Sequence, residues 1–165
     1  MTKILYSLMA PRFLLDGMLG SLARWLRILG YDTLYHVDME DDMLRAEAQG
    51  SHRVLVTRDA ELHRKAVKTG LKSVIIHSEH IMEQLKELVD AQSISLVPMN
   101  TRCPRCNGDL EPVDKDDITG KIPEESYKVF DEYWICSECN AIYWKGSHWV
   151  QIEETLSKIA DSKSL

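Results

Sequence analysis

The chain has 165 residues, of which 44% are hydrophobic and 28% are charged, proportions typical of a soluble globular protein. No stretch approaches the roughly 18 consecutive apolar residues of a membrane-spanning helix, and the opening residues lack the small-residue cleavage site of a secretory signal. We therefore expect a cytoplasmic protein without a membrane partner. The net charge of −6 also disfavours a broad, non-specific grip on nucleic acid.

Strand-like and helix-like segments alternate over the first part of the chain. Short apolar runs predict four strands, at residues 12–16, 32–36, 53–57 and 72–76. Apolar residues at helical spacing predict a helix after each strand, over residues 18–29, 41–49, 60–69 and 81–91. Four strand–helix units with short links predict an α/β fold, with a mostly parallel sheet covered by helices on both faces.

The pattern changes near residue 97, where a Val-Pro-Met-Asn stretch begins. We predict one domain over residues 1–97 and a second over residues 98–165, whose charge balances are −1 and −5. The acidic segment 111–126 contains a glycine and two prolines, which predicts an exposed loop. Residues 151–160 have a helical apolar pattern and predict a closing helix.

The second domain carries two CxxC motifs, Cys103-Pro-Arg-Cys106 and Cys136-Ser-Glu-Cys139. Two such motifs at this separation predict a zinc ribbon, in which each motif supplies two thiolates to one tetrahedral site. Four protein ligands leave no position open for a substrate, so the predicted zinc is structural. The alternative is a pair of redox-active CxxC motifs.

Acidic residues follow three of the predicted strands. Asp16 ends the first strand, Asp41 and Asp42 come after the second, and Asp59 follows the third. Segments that leave the carboxyl ends of parallel strands converge on one crevice, so these carboxylates are expected to meet there. Carboxylates bind Mg²⁺ or Mn²⁺, which can activate water for phosphodiester hydrolysis. Each acid has an alternative role as a helix N-cap. Asp41 is the predicted cap of the second helix and Asp42 the predicted metal ligand, with an exchange of these two roles left open.

Basic and aromatic residues supply candidate contacts to nucleic acid. Arg24, Arg27 and Arg58 are predicted phosphate contacts, although the first two equally suit a solvated helix face. Three further polar residues follow the fourth strand and reach the same edge, namely His77, Glu79 and His80. The aromatic residues of the second domain form a small core or expose rings to unpaired bases. The candidates for a face against the first domain or an RNA are Tyr143, Trp144 and Trp149.

Three motifs carry a resemblance to a known family. They are the run from Arg12 to Thr33, RFLLDGMLGSLARWLRILGYDT, the run LVTRD at 55–59, and YWKGSHW at 143–149 beside the paired CxxC motifs. The first resembles the start of the Mut-seven C-terminal RNase family, a PIN-like group, and the others are similar to its later signatures. The resemblance implies a PIN-like three-layer α/β/α fold, a metal-dependent ribonuclease activity, and Asp16, Asp42 and Asp59 as the acidic positions.

These observations leave three functions open. The first is an RNA endonuclease that uses Mg²⁺ or Mn²⁺ and positions its substrate with the ribbon. The second is a non-catalytic RNA- or protein-binding module in RNA processing or ribosome maturation, in which the acids are caps. The third is a phosphatase-like hydrolase, which would need an acid two residues after its nucleophilic aspartate, where this chain has Met18.

Overall fold

The computed structural model describes residues 10–161, which form two compact units. The first unit comprises the described residues up to 27 together with 31–95, and the second comprises 28–30 and the residues from 96 onward. Residues 1–9 and 162–165, which the two predicted domains include, lie outside the described residues. Between residues 10 and 161 no helix is long and apolar enough to cross a membrane.

The first unit is built on a four-stranded sheet in which every paired strand is parallel. The strands are β1 (Phe13–Leu15), β2 (Thr33–Tyr35), β3 (Val54–Thr57) and β4 (Ser73–Ile75). The helices are α1 (Gly20–Ile28), α2 (Asp41–Gly50), α3 (Ala60–Lys68) and α4 (Ile81–Ala91). The predicted α/β fold with a mostly parallel sheet is therefore confirmed.

The order of the strands reverses at the centre of the sheet. The spatial order is β2-β1-β3-β4, so the chain first moves from β1 to β2 and then crosses back to β3. Parallel crossovers are right-handed, which puts helices from the two directions of travel on opposite faces. One face buries Leu14 and Leu55 against α2 and α3, in a cluster with Leu44, Ala48, Leu62 and Ala66. In a doubly wound sheet, a crevice opens at the carboxyl edge between the two strands where the order reverses. Here those strands are β1 and β3.

An ion pair between a buried arginine and a partly buried aspartate joins the starts of three strands. Arg53, directly before β3, forms two hydrogen bonds of 2.9 Å with the carboxylate of Asp32, directly before β2. The same guanidinium donates to the backbone oxygens of Asp32 at 3.1 Å and of Phe13, in β1, at 3.2 Å. Strand pairing at this end of the sheet therefore depends on a charged side chain as well as on apolar packing.

One predicted cap is wrong. Asp41 is the first residue of α2, and the residue in the N-cap position is Glu40, which makes no capping hydrogen bond with its side chain. Both carboxylates predicted at this point, Asp41 and Asp42, thus lie in the first helical turn. Their negative charges interact favourably with the helix dipole there, because the N-terminal end of a helix carries a partial positive charge.

The second unit contains a three-stranded antiparallel sheet in the order β5-β6-β7. Its strands are β5 (Leu110–Val113), β6 (Tyr133–Cys136) and β7 (Ile142–Trp144). A 3₁₀ helix (Lys115–Ile118), the short α5 (Glu124–Val129) and the longer α6 (Ser147–Asp161) complete the unit. The closing helix thus begins four residues earlier than predicted, at Ser147.

The prediction for residues 111–126 is correct about exposure, because most of these residues are exposed, but wrong about a loop. The segment begins in β5, passes through the 3₁₀ helix and ends in the first turns of α5. Pro112 is compatible with a strand because β5 lies at the edge of its sheet, where a missing N–H costs no ladder hydrogen bond. Ile118, a single apolar residue among acids, is fully buried and anchors the segment.

We predict that Arg53→Met destabilises the first unit by about 2–3 kcal/mol, because the Asp32 carboxylate, whose side chain is only 18% exposed, loses its charged partner. Urea unfolding followed by circular dichroism would measure the change. Arg64→Met on the exposed side of α3 is the matched control and should change the free energy of unfolding by no more than about 0.5 kcal/mol. Equal midpoints for the two variants would contradict a role for the ion pair in joining the strands.

Candidate functional site

The two CxxC motifs form turns of the same design. The residue after each motif, Asn107 or Asn140, adopts a left-handed backbone conformation with φ of 72° and 57°. In each turn that asparagine donates its N–H to the carbonyl oxygen of the motif's first cysteine, at 2.9 Å and 3.0 Å. Asparagine tolerates this conformation better than most residues, so the repeated Cys-Asn pair in the sequence has a local physical reason.

The four sulfur atoms meet at one point. The ligand atoms of Cys103, Cys106, Cys136 and Cys139 all lie within 4.8 Å of one another. The Cys103–Cys139 and Cys106–Cys136 sulfur distances are 3.7 Å and 3.4 Å, too long for disulfides and close to the roughly 3.8 Å between sulfurs on a tetrahedral metal with bonds of about 2.3 Å. Both contacts join one motif to the other, as a shared metal requires. The four cysteines can hold a metal ion such as zinc, as predicted.

Tyr143 contacts this cluster directly. Its hydroxyl lies 3.1 Å from the Cys103 sulfur and donates to it when the sulfur is a thiolate. Burial of Cys103 opposes ionisation, but this hydrogen bond and two from backbone N–H groups lower the pKa of the thiol to about 7. A donor outside the ligand set orients and stabilises the ligand that it contacts. Tyr143 therefore supports the metal site, whereas the sequence had offered it as an exposed ring.

Asp16 lies at the carboxyl end of β1 and is only 7% exposed. One carboxylate oxygen accepts a hydrogen bond from the Thr57 hydroxyl at the end of β3, and the other accepts from the Met18 N–H at 3.1 Å. These bonds compensate for the loss of water around a buried carboxylate. They also fix its position at the point where the strand order reverses.

Asp59 is joined to Asp16 through Thr57. The Asp59 N–H donates to the Thr57 hydroxyl oxygen at 2.9 Å, and that hydroxyl donates to Asp16. The Asp59 side chain is exposed and caps α3, accepting from the N–H groups of Glu61 and Leu62 at 2.7 Å and 2.9 Å. Both bonds use the same oxygen, Oδ1, so the carboxylate also holds a second oxygen for other partners.

Asp42 has a different environment. Its side chain is 84% exposed and forms a 2.6 Å ion pair with Arg45, one helical turn further along α2. The hydrogen bond and charge of Arg45 hold the pKa of Asp42 below its usual value. Among residues 10–161, the four cysteines form a group whose ligand atoms lie close enough to share a metal ion. Within the same described residues, Asp16, Asp42 and Asp59 do not form a second such group.

The predicted phosphate-binding arginines have three different environments. Arg24 is exposed on α1. Arg58 follows β3 and pairs with Glu79, from the loop after β4, at 3.3 Å. Arg27, for which the sequence left a phosphate contact and a solvated helix face equally open, is only 8% exposed, and its Nε donates to the Thr33 carbonyl oxygen at 3.0 Å. That position belongs to the packing between α1 and β2.

The loop after β4 is held by residues that the sequence analysis did not identify. Glu87 of α4 accepts from the N–H groups of His77 and Ser78, at 2.7 Å and 3.0 Å. Partial burial opposes ionisation of Glu87, but the hydrogen bonds from Ser78 and His77 lower its pKa overall. Gln84 donates to the carbonyl oxygens of Ser78 and Glu79. Nothing in the helical pattern of α4 distinguishes these two residues, so no sequence feature could have identified them.

Together, the two units define an α/β protein with acidic strand ends and a separate four-cysteine metal site. The family model of the Mut7-C RNAse domain matches residues 11–156, and the chain belongs to this family. The resemblance stated from the sequence motifs is therefore confirmed, and the family suggests a ribonuclease-type function. Searches of curated proteins and of solved structures found no match.

We predict that Cys103→Ser abolishes stoichiometric metal binding, because a neutral hydroxyl replaces one of four thiolates. Elemental analysis of the purified protein should find about one zinc per chain in the parent and well under half of that in the variant. Ser137→Ala lies between two ligands without contributing one and should retain the metal. Full zinc content in Cys103→Ser would show that the four sulfurs do not share one ion.

Proposed function

We propose that this chain is a metal-dependent ribonuclease that cleaves internal phosphodiester bonds of RNA at the carboxyl edge of its parallel sheet. The observation that carries the proposal is the linkage from Asp16 through the Thr57 hydroxyl to Asp59. The hydroxyl ties the buried Asp16 carboxylate, at the end of β1, to the backbone N–H of Asp59, just after the neighbouring strand β3. The carboxyl edge of a parallel sheet is where α/β proteins bind ligands. A PIN-like assignment of the fold is part of the same proposal.

Asp16, Asp59 and Asp42 are the proposed ligands for Mg²⁺ or Mn²⁺. A hard cation held there would lower the pKa of a bound water and stabilise the leaving oxygen of the phosphodiester. Asp16 supplies a carboxylate fixed by two hydrogen bonds, and Asp59 supplies the oxygen that the helix cap does not use. Asp42 is tied only to Arg45 on an exposed surface, so its carboxylate can turn toward a cation at little energetic cost.

Arg58 and Arg24 are the proposed phosphate contacts. Both carry guanidinium groups that suit bidentate binding of phosphate oxygens. The Arg58–Glu79 pair is on the surface, where such pairs contribute little stability, so a phosphate can replace Glu79. We leave Arg27 out of this set because its guanidinium is buried against the Thr33 carbonyl.

The four-cysteine site is proposed to hold structural Zn²⁺ within a domain over residues 98–165, with catalysis assigned to residues 1–97. Clustered thiols of this kind are typical of reducing compartments, which supports a cytoplasmic location. Four thiolates complete a tetrahedral zinc site, so the hydrolytic chemistry falls to the carboxylates.

A non-catalytic RNA- or protein-binding module in RNA processing or ribosome maturation is the second candidate. One observation favours it: each of the three acids already has a structural partner, which is Thr57 for Asp16, the first turn of α3 for Asp59, and Arg45 for Asp42. In that case the carboxylates stabilise the fold and need no cation.

We predict that the zinc-loaded protein cleaves labelled single-stranded RNA in the presence of Mg²⁺ or Mn²⁺, and that Asp16→Asn and Asp59→Asn reduce the rate at least about 100-fold. Asparagine retains the capping hydrogen bonds at position 59, so this variant removes a metal ligand while leaving α3 intact. Gel analysis of product lengths over time measures the rate and separates internal from terminal cleavage.

Asp116→Asn, on the exposed 3₁₀ helix, is the matched control and should cleave at the parental rate. Melting curves would establish that all three variants fold. If neither divalent ion supports cleavage, while parent and variants bind RNA equally, the binding-module candidate replaces the nuclease.

A separate prediction concerns Thr57. Thr57→Val keeps the shape of this fully buried side chain but removes the hydroxyl that joins Asp16 to Asp59, whereas Thr57→Ser keeps the hydroxyl. We expect the valine variant to lose about 10-fold or more in kcat with little change in KM, and the serine variant to retain most activity. Equal rates for both variants would mean that the linkage does not position the carboxylates.

A further inference from the structure

Aromatic side chains and one lysine share a face of the β5-β6-β7 sheet. Trp134 of β6 lies directly across from Tyr143 of β7, and both rings pack beside the cysteine cluster. Side chains two residues apart on a strand point to the same face, so Lys145, just after β7, continues the face that Tyr143 begins. Trp149, in the first turns of α6, closes it.

Lys145 lies over two indole rings. Its ammonium nitrogen is 5.9 Å from the ring centroid of Trp134 and 5.3 Å from that of Trp149. Both distances are within the range of cation–π attraction. Elsewhere in the second unit, Arg102 pairs with the Asp109 carboxylate and Lys115 with the Asp131 carboxylate. The ammonium of Lys145 thus lies next to aromatic faces. The region around it is acidic, since residues 98–165 have a charge balance of −5.

The rings remain accessible. Trp134 and Trp149 are half-buried and Lys145 is exposed. The indole N–H of Trp149 donates to Glu153 at 2.8 Å, one turn further along α6, which holds the ring in a defined orientation. A ring that is fixed before a ligand arrives loses little conformational entropy when it binds.

We propose that Trp134, Lys145 and Trp149 form a binding surface for unpaired bases of single-stranded RNA. Indole faces stack on any base, and a lysine between them can move onto the phosphate next to a stacked base. This inference rests on the proposed function, which gives RNA as the substrate class, and adds that the bound RNA is single-stranded. Duplex RNA is excluded because its bases are already stacked and paired.

The electrostatics favour stacking over a general attraction to nucleic acid. A surface that bound RNA through charge would need many cations, whereas the acidic second domain offers this lysine next to aromatic rings. Bases contribute neutral π-faces, which an acidic environment repels far less than it repels the phosphates. Single strands with accessible bases are therefore the RNA form that fits.

The test measures RNA binding separately from cleavage. Fluorescence anisotropy of a labelled uridine oligonucleotide would be recorded with zinc-loaded Asp16→Asn protein, in which the proposed cleavage site is disabled. We expect Trp149→Leu in this background to weaken binding about 5- to 100-fold, and Trp149→Phe to remain close to the parent. Lys145→Ala should reduce the slope of log K against log salt concentration by about 0.7, the value for one phosphate contact on a single strand.

Lys158→Ala, which removes an exposed lysine near the end of the same helix, is the matched control and should leave affinity unchanged. Equal binding by Trp149→Leu, Lys145→Ala and the parent would overturn the proposal, as would equal affinity for an RNA duplex of the same length. Metal-dependent cleavage that persists with an unchanged KM in Trp149→Leu would overturn this surface while leaving the nuclease intact. Intact single-strand binding without any cleavage would overturn the proposed nuclease activity while leaving this surface intact.

Discussion

The hydroxyl of Thr57 is the group on which the first unit's carboxyl edge depends. It donates to the buried Asp16 carboxylate and accepts from the Asp59 N–H, so one oxygen joins the ends of β1 and β3. An ionised carboxylate that is 7% exposed would be very costly without such a partner. Because the strand order reverses between these two strands, the bonds that stabilise the carboxylate also place it at the opening of the sheet.

Most of the fold could be predicted because its determinants are local. The strands of a parallel sheet are covered on both faces, so β1 and β3 are uninterrupted apolar runs bounded by polar residues. The errors arose where a distant partner decides the environment. Arg27 is buried because the Thr33 carbonyl accepts its Nε, and the acidic segment after β5 is ordered because Ile118 finds a core. Neither contact can be predicted from the helical or strand periodicity of the sequence.

In the candidate site, too, locally determined features were predictable and contacts that depend on packing were not. The cysteines were predictable because ligand spacing within a motif fixes the turn, and the asparagine after each motif fits the same backbone shape. The acids at strand ends were predictable from topology, and the capping role of Asp59 and the Asp42–Arg45 pair follow from local spacing. The capture of two loop N–H groups by Glu87 was not predictable, because it depends on how α4 packs.

The proposed function assigns a different ligand chemistry to each unit. Four thiolates suit a borderline-soft metal and complete a tetrahedral coordination shell, so under this proposal the metal of the second unit is structural. In the proposed nuclease, the carboxylates at the sheet edge are oxygen ligands of the kind that suits a hard cation. Because the overall charge is −6, the proposed phosphate recognition would be local, through a bound cation and a few guanidinium groups. A second unit that contacts bases by stacking is consistent with this constraint, because stacking adds affinity without adding positive charge.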